Sequence, residues 1–477
     1  MKKIISLILT LAIALSLCAC GGSGDNGGST EPQQAAGLQV GYARESILPN
    51  GQVNISGLGN QGTRISESNL DILYATCLAI SENGTTILLF STDTLTAKEE
   101  WTNEARMIIN KATGVPMENI QIGGTHTHSG PAVGGDEDLV RKWKQIYMDA
   151  LLYSAQDAIK DLAPATLYAT KVQTEQMAFV RHFKMDDGTY AGSNFGDWTR
   201  TPVSQATKAD EEMILIKIDR EGEKKKDIML MNFQAHPCFG YDISMTALTA
   251  DYISVARNVF EQQTDMKFIY FLGSAGNQNT SSRISSENAP HNKDMTQYGT
   301  KLAQYAIDAL PTMTTPVEGA GVKTTQMKYE YKCNDYGQDR LEDARLVNKM
   351  WNESGDIHSC NAYAKSLGFY SVYQCNGIVS CSNLPASMEM ELNACSFGGI
   401  GFVAASYEMF SDSAKYIKEN SPFEYTVIST CTNGYNNYYP TKEAFEYGCY
   451  ESYTARFGPG VAEDAAEQFV QMLKTVQ

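Results

Sequence analysis

The chain is short of histidine and of positive charge, and each shortage excludes something. Only six histidines occur among 477 residues, so their placement carries information about any metal site. The 38 lysines and arginines are outnumbered by 55 acids, giving a formal charge of −17, and no basic cluster offsets it. Nucleic acid is therefore not an expected partner. No two of the eleven cysteines form a C-x-x-C pair, which leaves a structural zinc ribbon unsupported. No internal repeat is visible, and no Pro/Gly/Ser-rich linker interrupts the chain after residue 37. The apolar run from Ile4 to Leu17 is too short to count as a membrane-spanning helix.

That run has a different meaning. Lys2 and Lys3 precede it, and it closes on Leu17-Cys18-Ala19-Cys20. The pattern reads as a bacterial lipoprotein signal over residues 1–19, with acyl chains carried on Cys20; an ordinary secretory leader is the plainer alternative. Residues 20–37 are rich in Gly, Ser, Asn and Gln and suit a flexible tether. The expected location is the bacterial cell envelope, outside the cytoplasm, with the membrane reached through the lipid on Cys20. Of the nine remaining cysteines, Cys375 with Cys381 and Cys333 with Cys360 are candidate pairs, though buried free thiols are the default.

With 43% hydrophobic residues the body can bury a large core. Strands are predicted over Ile72–Ile80, Thr86–Phe90, Asn119–Gly123, Met213–Ile218, Ile228–Phe233, Phe268–Leu272, Met388–Ala394 and Tyr425–Cys431. Helices are predicted over Lys98–Lys111, Asp138–Leu162, Asp251–Gln262, Asp294–Leu310, Glu408–Glu419 and Val461–Thr475. This alternation points to an α/β fold, mixed β-sheets covered by helices, forming one large catalytic domain over residues 38–477. Residues 333–383 read as a peripheral insertion.

His126 and His128 lie two apart at a predicted strand end, where period two puts both on one face. They could converge on one ion, zinc first among them, or be two hydrogen-bonded histidines at a polar strand end. Gly123-Gly124 before and Gly130-Pro131 after let the backbone turn there. His236 closes the strand Ile228–Phe233 in the same way. Asp251 is either a helix-start acid or a carboxylate that orients a ligating imidazole.

Thr125-His126-Thr127-His128-Ser129-Gly130-Pro131 and Asn232-Phe233-Gln234-Ala235-His236-Pro237 together resemble the neutral/alkaline (non-lysosomal) ceramidase family, in its single-domain bacterial form. Further ordered stretches carry the likeness: Phe179-Val180-Arg181-His182, Leu272-Gly273-Ser274-Ala275-Gly276-Asn277, and Asn433-Gly434-Tyr435 through Pro440-Thr441. It extends from Val40-Gly41 to Tyr450-Glu451. The resemblance implies Zn2+ held by His126, His236, Glu408 and Tyr435. It makes His128 a histidine that either supports the ligands or faces the substrate, makes Arg181 the cation near the polarised carbonyl, and implies an amphiphilic acyl-amide substrate.

There are departures from the family pattern. The family's serine aligns with Asn279 in Gly276-Asn277-Gln278-Asn279-Thr280-Ser281, with Ser281 and Ser282 nearby. Ser406-Tyr407 stands where Pro-Gly usually precedes the glutamate. The resemblance thus carries the fold and the metal site further than it carries ceramide as substrate. The expected chemistry is metal-assisted attack of water on an amide or related acyl bond, with Tyr435 or His128 moving protons and Asn279 positioning the substrate. A barrel-type amidohydrolase also opens with His-x-His, but only His182, His236, His291 and His358 remain downstream for it. A substrate-binding lipoprotein, or a relative that binds without turnover, is the alternative outside enzymes.

Overall fold

Side-chain alternation along the strands decides the layering. In the strand Tyr74–Glu82, Leu78 and Ile80 face one way, while Cys77 and Ala79 face the other; all four are buried. A sheet apolar on both faces must be covered on both. The computed structural model describes residues 37–57, 64–135, 137–192, 201–281 and 294–477. The leader, most of the tether with Cys20, Ser282 and His291 lie outside the described residues.

Among the described residues, eight strands form the larger sheet. They are β1 (Gln39–Ser46), β2 (Tyr74–Glu82), β3 (Thr85–Thr92), β4 (Ile120–Gly124), β5 (Ala163–Gln173), β6 (Glu212–Arg220), β7 (Ile228–Phe233) and β8 (Lys267–Leu272). Their order is β8-β7-β6-β5-β1-β2-β3-β4, with β3–β4 and β7–β8 parallel and the other neighbours antiparallel. A second sheet runs β9 (Val322–Lys332), β10 (Ser387–Phe397), β11 (Ile400–Ala405), β12 (Tyr425–Ser429), with β11–β12 parallel.

One face of the large sheet is covered by α1 (Glu99–Thr113) and α2 (Asp138–Lys160), which pack on β2–β4. Helices α3 (Tyr252–Thr264) and α4 (Met295–Ala309) cover the same face over β6–β8. The opposite face, with Ile80, Leu89, Ile216 and Phe271, packs directly on Phe397, Phe402 and Val427 of the second sheet. Helices α5 (Leu341–Ser354), α6 (Ile357–Ser366) and α7 (Val372–Cys381) sit between β9 and β10 and form a small cluster of their own. The outer face of the second sheet is covered by α8 (Ser411–Asn420) and α9 (Val461–Thr475). The layers are helix, sheet, sheet, helix, an α/β architecture of mixed sheets as expected. Sheet-on-sheet contact was not foreseen, because a fully apolar strand does not say what covers it.

One element needs correction. The helix predicted to start at Glu408 starts at Ser411. Glu408–Met409 is instead a short strand paired in parallel with Tyr438–Tyr439, and the Glu408 N–H donates to the carbonyl of Asn437. A helix starting there would leave that N–H without an intrahelical partner, whereas the strand pairing satisfies it. All nine cysteines among the described residues are free, so neither candidate bridge forms.

Candidate metal centre

The candidate ligands come from loops that follow the carboxyl ends of strands in the parallel pairs of the two large sheets. His126 follows β4, His236 follows β7, Glu408 follows β11 and Tyr435 follows β12. Such loops gather at one end of a parallel pair, where α/β sites form. The two histidines of the first motif do not share a strand face. β4 ends at Gly124, and His126 turns the chain at φ 67. Gly123 is needed for close approach rather than for a turn: a Cβ there would meet Thr432 Oγ1 at 2.7 Å.

His126, His236 and Glu408 are each only 1% exposed. Glu408 Oε2 lies 3.3 Å from His126 Nε2 and 3.0 Å from His236 Nε2. His128 Nε2 is 3.4 Å from His126 Nε2, and the Tyr435 hydroxyl donates to Glu408 Oε1 at 2.6 Å. The far nitrogens explain the ring orientations. Nδ1 of His126 donates to the Leu95 carbonyl at 2.8 Å, and Nδ1 of His236 to the Gln278 carbonyl at 3.1 Å. These bonds turn both Nε2 atoms toward the carboxylate; burial opposes charge on His126, but Glu408 and then Cys431 outweigh it and raise its pKa well above the usual histidine value. Glu408 Oε2 is buried and takes no hydrogen bond among the described residues. One proton relieves one of these contacts, whereas a divalent cation relieves all of them. Two imidazoles, a carboxylate and a phenol form a donor set that fits zinc, and the three histidines together form a group able to hold an ion.

Electrostatics follow from burial and from these neighbours. Burial, then the His126 and His236 rings, push His128 well below the usual histidine pKa, so it is neutral. Burial raises the Glu408 carboxyl, but His126 and His236 outweigh it and hold the group well below the usual range. Burial and then Arg181 lower His236.

Arg181 is 4% exposed and lies behind the ligands. Its Nε donates to Glu451 Oε1 at 2.7 Å, its Nη2 to the Gly276 carbonyl at 2.9 Å, and its Nη1 is 3.4 Å from His236 Nε2. Glu451 also accepts from His182 Nε2 at 2.7 Å, and His182 Nδ1 meets the Tyr447 hydroxyl. Burial opposes ionisation of Glu451, yet Arg181 and then His182 bring its pKa down to about 2. No local pattern marks Glu451 for this role, since its partners are some 270 positions away in the chain. Among the described residues Asp251 orients no imidazole. It caps α3 by accepting from Tyr252 N–H and also takes the Gly240 N–H, so the helix-start reading is the correct one.

A cleft of about 1030 Å³ opens over this centre. His126, His128, Glu408 and Tyr435 reach it. His236, Arg181 and Asn279 are not among its lining residues. Asn279 pairs with Phe179 in a short strand, beside the Gln278 that orients His236. Residues 333–383 are more than peripheral, because Asn376, Gly377 and Ser380 form part of the cleft wall.

No family model and no curated protein matches the chain. Solved structures do. A neutral ceramidase from Pseudomonas aeruginosa superposes with a TM-score of 0.66 at 14% identity, covering 92% of this chain and 74% of that one. A ceramidase complexed with C2 gives the same TM-score and identity, covering 92% and 75%. At that identity the likeness is one of fold, and the fold is neutral-ceramidase-like.

Proposed function

We propose that the chain is a zinc-dependent hydrolase of an amide bond, acting on a small amphiphilic acyl amide at the bacterial cell envelope. The observation that carries this is the convergence of His126 and His236 Nε2 on the buried, unpartnered Oε2 of Glu408, beside Tyr435 and His128 and open to a cleft. The shared fold with ceramidases supports the choice of an amide.

His126, His236, Glu408 and Tyr435 would hold the ion. Bound there, zinc supplies Lewis acidity toward a carbonyl oxygen and toward water. His128, neutral and on the cleft, accepts the proton of the attacking water and returns it to the leaving nitrogen. Arg181, fixed by Glu451, keeps positive charge beside His236 and favours the developing oxyanion. Asn279 is given a positioning role from its place in the chain next to Gln278, whose backbone carbonyl holds the His236 ring. Attack by water requires no serine and leaves no acyl-enzyme.

A panel of amides and esters, offered to the mature chain with and without metal, tests the reading. Metal-dependent amide cleavage is expected; ester or amide cleavage that survives chelation contradicts it. The envelope location rests on Lys2-Lys3 and Leu17-Cys18-Ala19-Cys20. Cys20→Ala should abolish lipid labelling, and unchanged labelling would remove the anchor from the proposal.

A further inference from the structure

Five arginines are buried among the described residues, and four of them face a carboxylate. Arg106 pairs with Glu391, Arg181 with Glu451, Arg220 with Asp161 and Arg257 with Asp93. Arg64 is 7% exposed and forms no ion pair among the described residues. Its Nη2 donates to two backbone carbonyls, that of Ser56 and, at 2.6 Å, that of His128. Its Nη1 is buried and has no hydrogen-bond partner among the described residues. Burial pulls its pKa below the usual arginine value, and the groups that offset this are Tyr241 and Cys238 rather than an acid. An unpaired buried cation is costly to keep.

Arg64 lines the same cleft as His126, His128 and Glu408, and it holds the backbone of His128 itself. A charge in that place is within one residue of the reacting centre. The rest of the cleft is polar and charged: Asn54, Asn376 and Arg456 line it beside the acids Glu99, Glu100 and Glu137, so an anion has only its cationic side to turn to, and Asn54 Oδ1 is buried with no donor among the described residues. Long alkyl chains need an apolar channel, whereas these walls suit a polar group.

We propose that the substrate is an amide carrying a carboxylate close to the scissile bond, in chemical class an N-acyl amino acid, with the carboxylate received by Arg64. This rests on the amide-hydrolase reading and narrows it. Arginine suits the task because its guanidinium stays charged when buried and donates directionally to carboxylate oxygens.

The test uses N-hexanoylglycine and its uncharged methylamide on the zinc-loaded full chain. The acid should be cleaved with the higher kcat/KM, chiefly through KM. Arg64→Gln should raise KM for the acid by about 10- to 100-fold, the range of a charged hydrogen bond, beyond whatever change the loss of its bond to the His128 carbonyl makes on both compounds. Arg64→Lys should restore part of the preference. Equal use of the two compounds, or an Arg64→Gln variant that lowers kcat alike on both by disturbing His128, overturns the proposal while leaving amide hydrolysis standing. If neither compound is cleaved, calorimetry with the same pair decides. Binding of the acid alone, lost in Arg64→Gln, supports the Arg64 site even as the hydrolase reading falls; equal or absent binding rejects it.

Discussion

Nη1 of Arg181 lies 3.4 Å from Nε2 of His236. A guanidinium is always a donor, so the ring nitrogen it meets carries no proton of its own. The same Nε2 lies 3.0 Å from Glu408 Oε2, while Nδ1 of the ring is committed to the Gln278 carbonyl. His236 is thus held as a neutral ring with its lone pair turned inward, the state in which imidazole ligates a metal. Glu451 fixes the guanidinium that enforces this, and most of what can be tested follows from that chain of contacts.

Glu451→Gln removes the carboxylate from between Arg181 and His182. Leaving a buried guanidinium uncompensated should destabilise the fold by about 3–5 kcal/mol. In the folded fraction, kcat/KM should drop by about 10- to 100-fold while metal is retained, since only the support of a ligand is altered. Denaturant unfolding and single-substrate kinetics measure the two effects separately. A variant as stable and active as the parent contradicts the role given to Glu451.

The same carboxylate fixes a pH dependence. Its pKa in the folded chain is about 2, against an ordinary 4.5, so the unfolded chain takes up protons first on acidification. The stability Glu451 contributes is complete above about 4.5 and is lost as pH falls toward 2. Melting temperatures of the parent and Glu451→Gln should therefore converge through that window. A gap that stays constant down to its lower end would contradict the assignment.

His128→Ala should keep its metal and lose turnover. Removing a general base typically costs 10²- to 10⁴-fold, and the ring is absent from the proposed ligand set. Metal analysis beside a rate measurement distinguishes this from ligation. Loss of metal in step with activity would make His128 a ligand.

Asn279→Ala should lower kcat by about 10- to 100-fold through the Gln278–His236 contact, without a trapped acyl adduct on any serine. Quenched turnover followed by mass spectrometry shows whether such an adduct exists. One on Ser281 would replace water attack with covalent catalysis.

Much of this architecture was legible in the sequence because the strands and helices have strong periods. Ile228–Phe233 and Val461–Thr475 fall where the pattern puts them. His236 stood out as the end of an apolar run, and the dispersed motifs joined it to His126. The failures are of another kind. The His-x-His pair converges because His126 adopts a positive φ, which alternation cannot express. Glu408 was misread as a helix start, because its strand partner Tyr438 is thirty positions later. Glu451 and Arg64 remained silent because a buried acid and an unpaired cation are defined by what surrounds them in space. No local pattern records that.

The central claim is that His126, His236, Glu408 and Tyr435 hold one zinc ion. The most direct measurement is the metal content of the purified mature chain, by mass spectrometry, beside His126→Ala and Glu408→Gln. About one zinc per parent chain is expected, with most of it lost from both variants while their folds, by circular dichroism, persist. Zinc retained in full by either variant, or no metal taken up by the parent after zinc is supplied, would contradict the account.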